Sequence, residues 1–190
     1  MPDTFNRKIF TIKTLLRDLG YLFMGMPMIM AARRNTRIST AFVEKIMTVV
    51  TAVYGCIYCR WFHARQAVSC GISKEEVKNL LDLQFQARAS DFEITALLYA
   101  QHYAETNRKP DHEMTTRLFD TYGKKTAKHI ILFIRMIFFG NLAGNTWDAV
   151  ISRFKGKPAE NSSILFEIFY FLLTFWIMFP LMIIAREKKQ

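Results

Sequence analysis

Residues 44–63 read EKIMTVVTAVYGCIYCRWFH, and their reading decides the fold. Ile46, Val49, Val50 and Val53 recur at helical spacing, Gly55 punctuates the run, and a second helical stretch opens at Cys56. Cys56 and Cys59 stand at i, i+3 on that second helix, so their side chains are neighbours and a disulfide needs only modest local adjustment. Cys59 and His63 stand at i, i+4, on one side and one turn apart, which suits a histidine that shares or relays a proton with the thiol. Directly after Gly55 the pair lies at a helix amino terminus, where the macrodipole favours a thiolate. An unperturbed thiol of pKa ~8.5 is only about 3% ionised at pH 7, and a pKa of ~7 makes it about half ionised. Glu44 lies twelve residues before Cys56, about 18 Å along a straight helix. A chain reversal at Tyr54-Gly55, or a neighbouring subunit, has to bring it back as the proton acceptor for His63.

Working outward, the pattern is helical throughout, and no strand periodicity or internal repeat competes. Lys8 to Ala32 reads as a helix broken or kinked near Gly25 and Pro27. Ser39 or Thr40 caps the helix that carries Glu44, and Cys56 to Ser69 ends at a Cys70-Gly71 stop. Ser73 with Glu75 and Glu76 starts another through Leu83, and Asp91 to Thr106 makes a fifth. A sixth begins near Asp111 and a seventh covers Lys124 to Phe139. Gly140 to Asn145 reads as a loop, followed by a short helix from Thr146 to Phe154. The expected organisation is therefore all-α, with a basic, apolar amino-terminal segment (1–38), a helical domain (39–154), a linker (155–163) and a hydrophobic helix with a basic end (164–190).

Hydrophobic residues are 51% of the 190-residue chain and charged ones 22%, with only eight Gly and five Pro, which excludes a disordered or turn-rich protein. The net charge of +10 suits an anionic partner. Its early cluster (Arg7, Lys8, Lys13, Arg17, Arg33, Arg34 and Arg37 against Asp3 and Asp18) brackets the apolar stretch Leu19–Ala32, which favours a membrane face over nucleic acid. No nucleic-acid-binding spacing is present. Three clustered cysteines make no disulfide scaffold and point to a reducing compartment, and the charged leader argues against a secretory signal. The 14 residues from 19 to 32 are too few to span a bilayer. The 22 from Ile164 to Ala185 reach about 33 Å and are long enough, with Glu167 near one end where a charge can reach the interface. Three basic residues on either side leave the orientation open.

With Glu44, Cys56, Cys59 and His63 at these spacings in a helical chain of this size, the sequence resembles the AhpD-like alkylhydroperoxidase group of the carboxymuconolactone decarboxylase superfamily. The resemblance runs from about Thr40 to Phe154 and includes HIILFIRMIFFGNLAGNTWD at 129–148. It implies that Cys59 attacks a hydroperoxide, Cys56 resolves the sulfenic acid to a disulfide, and His63 and Glu44 form a proton relay. It also implies a homo-oligomer that needs no metal or flavin and takes electrons from an external dithiol. Tyr58 departs from the group's founding member, which has a relay histidine between its cysteines; here the phenol is the available substitute. The expected setting is the cytoplasmic side, attached to a membrane or anchored by a single pass.

Three other readings compete. A c-type haem is excluded because Arg60, not histidine, follows Cys59. A zinc site from Cys56, Cys59, His63 and Cys70 is chemically allowed but lacks a second pair at finger-like spacing. A membrane-associated accessory subunit would use the apolar tail to bind a partner. Cys70 reads as a packed helix end, and His102, His112 and His129 as solvated or structural. Asn141, Gly144 and Asn145 read as caps packed near a subunit boundary.

Overall fold

The computed structural model describes residues 5–87, 89–160 and 162–187, without the side chains of residues 33, 181, 182 and 185–187. Asp3 of the leader, Asn161 of the linker and the basic end at Lys188 and Lys189 lie outside the described residues. Seven helices are present among them: α1 (Ile12–Arg33), α2 (Thr40–Tyr54), α3 (Ile57–Ser69), α4 (Lys74–Leu81), α5 (Asp91–Glu105), α6 (His112–Phe154) and α7 (Ile164–Glu187). The one β contact among the described residues is a parallel bridge between Phe5 and Ala159. The fold is all-α, as the periodicity predicts.

The boundaries follow from local chemistry. The Ser39 hydroxyl accepts the Phe42 N–H at 3.1 Å and starts α2. Gly55 ends it in the left-handed region at φ 67°, where a side chain would be strained. Ser73 caps α4 through the Glu76 N–H, with Glu75 and Glu76 in the first turn. α2 is the central element, and its Ile46, Val49 and Val50 are fully buried against α5 and α6. Lys45 fastens it to α4 and α5 by ion pairs to Glu76 (2.7 Å) and Glu93 (2.8 Å).

Several expected boundaries are corrected. The first helix begins at Ile12, not Lys8, because Thr11 and Thr14 form a reciprocal cap there. It runs unbroken through Gly25 and Pro27: Pro27 lies on the exposed side, and Gly25 is the point of close approach to α6, where an added Cβ would lie 3.3 Å from Leu132. The helix from Ile12 to Ala32 is consequently long and apolar enough to cross a membrane, which the stretch 19–32 is not. α4 stops at Leu81, and Leu83 takes a left-handed φ of 58°.

The largest correction concerns α6. Gly123, at φ 71° and ψ 160°, marks the expected joint before Lys124, but there is no loop at Gly140–Asn145 and no separate helix at 146–154. Asn141, Gly144 and Asn145 are buried on a continuous helix; the Asn141 amide donates both to the Ile137 carbonyl one turn back (2.8 Å) and to Thr51 of α2, and the Asn145 amide donates to the Tyr54 carbonyl, so neither serves a local turn. A stretch of α6 also passes the length and apolarity test for a membrane span, but that stretch is 67% buried inside the protein, as a core helix is.

α7 is amphipathic in position though not in composition. Phe166, Glu167, Tyr170 and Met178 are buried against the rest of the chain, and Phe171 stacks on Trp147 at 4.7 Å between centroids. Glu167 does not reach an interface; it is 1% exposed, takes a hydrogen bond from Ser162, and pairs with Arg153, whose Nη2 donates to Oε1 at 3.2 Å. The opposite face, including Leu165, Leu172 and Trp176, is open.

Candidate functional site

Gly55 supplies the chain reversal that the sequence requires. Its left-handed backbone turns the chain out of α2 so that Cys56 becomes the residue capping α3. A cysteine there uses its sulfur as a serine uses its hydroxyl: the Cys59 N–H donates to Cys56 Sγ at 3.3 Å. One turn on, the Cys59 sulfur comes to 2.8 Å from Cys56 Sγ, and the two share a hydrogen bond. Both are free thiols, so the arrangement is that of a dithiol.

The pair is electrostatically asymmetric. The hydrogen bond shared with Cys59 pulls the Cys56 thiol below its ordinary value against the opposing effect of burial, helped by the backbone N–H groups of Cys59 and Tyr58. The same bond, burial and negative charge on Cys56 push Cys59 up. The asymmetry favours charge at Cys56 and the proton at Cys59. Exposure runs the other way: Cys56 is fully buried and Cys59 only partly so.

Glu44 and His63 meet as the sequence requires, within one chain and without a second subunit. Glu44 Oε2 lies 2.7 Å from His63 Nδ1, with both side chains nearly buried. This leaves Nε2 as the ring atom with which His63 can exchange a proton. Glu44 heads a polar stripe along α2, with Thr48 and Thr51 at i+4 and i+7, and Asn141 Nδ2 of α6 donates to Thr51 Oγ1 at 3.1 Å. Two atoms of this seam, Thr48 Oγ1 and Asn141 Oδ1, are buried without a hydrogen-bond partner among the described residues.

The α6 wall is shaped to the sulfurs. A Cβ at Gly144 would lie 2.5 Å from Cys56 Sγ and 3.3 Å from the Tyr58 ring, and one at Gly140 would lie 4.0 Å from Cys59 Sγ. The Tyr58 hydroxyl donates to Asp148 Oδ1 at 2.9 Å, and Arg7 Nη2 donates to Oδ2 of the same carboxylate at 2.5 Å. Arg7 also reaches Asn145 Oδ1 (3.2 Å), whose Nδ2 donates to the Tyr54 carbonyl (3.0 Å). This network pins the Tyr54-Gly55 reversal to α6 and to the amino-terminal segment. From α7, Tyr170 packs on Phe10 and donates to the Ala143 carbonyl at 3.0 Å. Burial holds the Tyr170 phenol well above its ordinary value, and negative charge on Cys56 and Cys59 raises it further.

Of the residues singled out from sequence, Glu44 and His63 form one pair, Cys56 and Cys59 another, and Tyr58 is engaged by Asp148. Arg7, Thr51, Gly144, Asn145, Asp148 and Tyr170 were not legible as parts of the site. One signal could have found four α6 positions: Asn141, Gly144, Asn145 and Asp148 fall at i, i+3, i+4 and i+7, a single helix face, once the stretch is read as helix. Among the described residues no three His, Cys, Asp or Glu side chains gather as a metal site, so the zinc set of Cys56, Cys59, His63 and Cys70 does not assemble. His129 is buried on Asn35 Nδ2 (3.0 Å), and burial holds its ring below the ordinary histidine value. His102 Nε2 accepts the Asp111 N–H at 3.1 Å across the turn before α6, a structural role. Compared with known proteins, the chain matches no family model, no curated protein and no solved structure.

Proposed function

We propose that the protein is a dithiol peroxidase of the AhpD-like kind, reducing hydroperoxides at Cys59 and closing a Cys56–Cys59 disulfide. The observation that carries this reading is the juxtaposition, around one helix start, of two sulfurs 2.8 Å apart with a 2.7 Å carboxylate–imidazole pair. Cys59 is the sulfur a substrate can approach, and its raised pKa means that it needs a base. His63, one turn on, takes that proton, and Glu44 stabilises the imidazolium. The Cys59 thiolate attacks the outer oxygen of ROOH. The O–O bond breaks, the alkoxide leaves as ROH with the proton from His63, and Cys59 becomes a sulfenic acid. Cys56, already biased toward thiolate, attacks that sulfur; the S–S bond forms as the S–O bond breaks, and the departing hydroxide takes a proton from solvent to leave as water. The peroxide gains two electrons, the dithiol loses two, and an external dithiol resets the enzyme.

Reduced protein treated with sub-stoichiometric organic hydroperoxide, alkylated and weighed intact should lose two alkylatable thiols. Cys59→Ser should consume no peroxide, and Cys56→Ser should turn over once and accumulate a sulfenic acid trapped by dimedone. Retention of both thiols, or full activity in Cys59→Ser, would overturn the reading. We also propose that the enzyme works at a lipid face as a homo-oligomer seated through α1 and the outer side of α7. Phe23 (74% exposed), Met24 (84%), Leu165 (77%) and Trp176 (80%) support the seat. Replacing Leu165, Leu172 and Trp176 together by Gln should release the protein from floated vesicles; unchanged flotation contradicts the assignment.

A further inference from the structure

A second feature lies away from the dithiol, on the opposite flank of α6. α1 crosses α6 at Gly25, and beside that crossing the two helices part to leave a cavity of about 520 Å³, lined also by Tyr103 of α5 and by Arg108 of the turn that follows it. Its volume falls inside the ~300–1,000 Å³ typical of small-molecule sites. The walls are apolar, contributed by Leu22, Met24 and Met28 of α1 and by Ile131, Leu132 and Phe138 of α6. The methionines are flexible, and Met24 is 84% exposed, so this wall can part for a ligand arriving from the side.

The charges around the cavity are of one sign with a single exception. Arg17, Arg108, Lys128 and Arg135 line it, against Asp18 alone. Asp18 is already spent: buried at 7% exposure, it binds Arg108 Nη1 at 2.5 Å and Arg17 Nε at 3.2 Å. Lys128 and Arg135 have no carboxylate partner among the described residues; Arg135 instead lies over the Tyr21 ring, 5.1 Å from its centroid. Arg108 shows that the polar end is built and not accidental. It sits in the left-handed region at φ 73°, next to Asn107 at 51°, a costly pair of conformations for residues with side chains. That backbone carries the guanidinium over the Phe138 ring at 4.0 Å, inside the cavity, where its Nε is buried and lacks a hydrogen-bond partner among the described residues. An apolar chamber with an unpaired buried donor and two unneutralised cations at the rim is complementary to one ligand chemistry: an aliphatic chain ending in an anion.

We propose that the cleft between α1 and α6 binds a single-chain anionic amphiphile, its tail along Leu22, Met28 and Leu132 and its carboxylate or phosphate held by Lys128 and Arg135. The site is separate from the dithiol and does not depend on its chemistry.

Calorimetric titration of the full-length reduced protein with monomeric oleate and with lysophosphatidate tests the two head groups, with oleyl alcohol and inorganic phosphate as the tail-only and head-only probes. Saturable binding near one amphiphile per chain is expected, about tenfold or more weaker for oleyl alcohol and for the exposed double variant K128Q/R135Q, as for the loss of a charged hydrogen bond. Leu22→Trp, or Met28→Trp if the first fails to fold, should fill the chamber and abolish saturation while leaving helical circular dichroism intact. Equal, non-saturating uptake by all of these proteins would show partition onto the exposed faces and overturn the site. So would phosphate binding as tightly as lysophosphatidate, or binding to anionic vesicles with none to monomeric lipid.

Discussion

Replacing Gly144 by Ala tests whether α6 is shaped to the Cys56 sulfur. Elsewhere in a buried helix this change stabilises, because Ala is favoured over Gly by about 0.8–1.0 kcal/mol. Here the new Cβ would lie 2.5 Å from Cys56 Sγ and 3.3 Å from the Tyr58 ring, with Cys56 Cβ at an ordinary 3.9 Å. The first contact is about 1 Å too close for a carbon and a sulfur, so the sulfur must rotate away or the helices must separate. Overpacking of this kind costs about 1–3 kcal/mol. Set against the helix gain, Gly144→Ala should be neutral to about 2 kcal/mol destabilising in the otherwise unaltered reduced protein. In a Cys56→Ala background the sulfur is gone and only the Tyr58 ring, at 3.3 Å, has to give by a few tenths of an ångström, so the same substitution should be neutral to about 1 kcal/mol stabilising. The coupling between the two positions is then about 1–3 kcal/mol, well outside the ~0.3–0.5 kcal/mol scatter of independent sites. Urea denaturation of the four proteins under reducing conditions measures it. If Gly144→Ala has the same effect with and without the Cys56 sulfur, the close approach is not what keeps glycine at 144. Disulfide formation provides a second readout: rotation of Cys56 Sγ breaks its 2.8 Å and 3.3 Å contacts, so peroxide-driven closure should slow even where stability is little changed.

The asymmetry of the dithiol predicts a pH signature. Between the lowered folded value of Cys56 and the ordinary thiol value of ~8.5, the unfolded chain holds both thiol protons and the folded pair only one, so stability rises with pH; above ~8.5 the unfolded thiols ionise while Cys59 keeps its proton, so stability falls. The reduced protein should therefore show a stability maximum near pH 8.5 relative to the Cys56→Ser/Cys59→Ser variant, and a flat difference would rule out the shared proton. Arg153→Met should cost about 3 kcal/mol by leaving the Glu167 carboxylate buried beside Ser162 without its cation, whereas Arg153→Met with Glu167→Leu should recover most of it; equal losses in thermal denaturation would show that the pair does not fasten α7.

What could be read from the sequence and what could not divide along a physical line. Contacts made within one helix, or across one cap, have fixed spacing: Cys56 with Cys59, Ser39 and Ser73 as caps, and Gly55 as a reversal. The Glu44–His63 pair was accessible because a single glycine sufficed to fold one helix back on the next. Contacts that depend on which helix packs where have no such spacing. Asn141, Gly144 and Asn145 carry the composition of a turn, and as isolated residues they favour one. Packing overrides that preference, because the two amides find partners on α2 and the glycine makes room for a sulfur, so the helix runs through. Tyr58 and Asp148 are ninety positions apart, and Arg7 is farther from its partner still. No local pattern marks such pairs.

The apolar tail shows the same override on a larger scale. By length and composition 164–185 resembles a membrane span, and a span surrounded by lipid would have no use for Glu167, Tyr170 or Thr174. In the folded chain these residues are the inner face. Glu167 holds Arg153, Tyr170 donates to the α6 backbone opposite the cysteines, and Phe171 covers Trp147. Withdrawing α7 into a bilayer would bury Glu167 without its cation and uncover the fully buried Trp147, and it would strip one wall from the dithiol. The helix is accounted for more simply if only its outer face, with Leu165, Phe169, Leu172 and Trp176, meets lipid or another apolar surface. The dithiol and the proposed lipid-facing surface then lie on two sides of one helix. Whatever α7 rests on bears directly on the packing around Cys56 and Cys59, and detergent or lipid should alter their rate of oxidation.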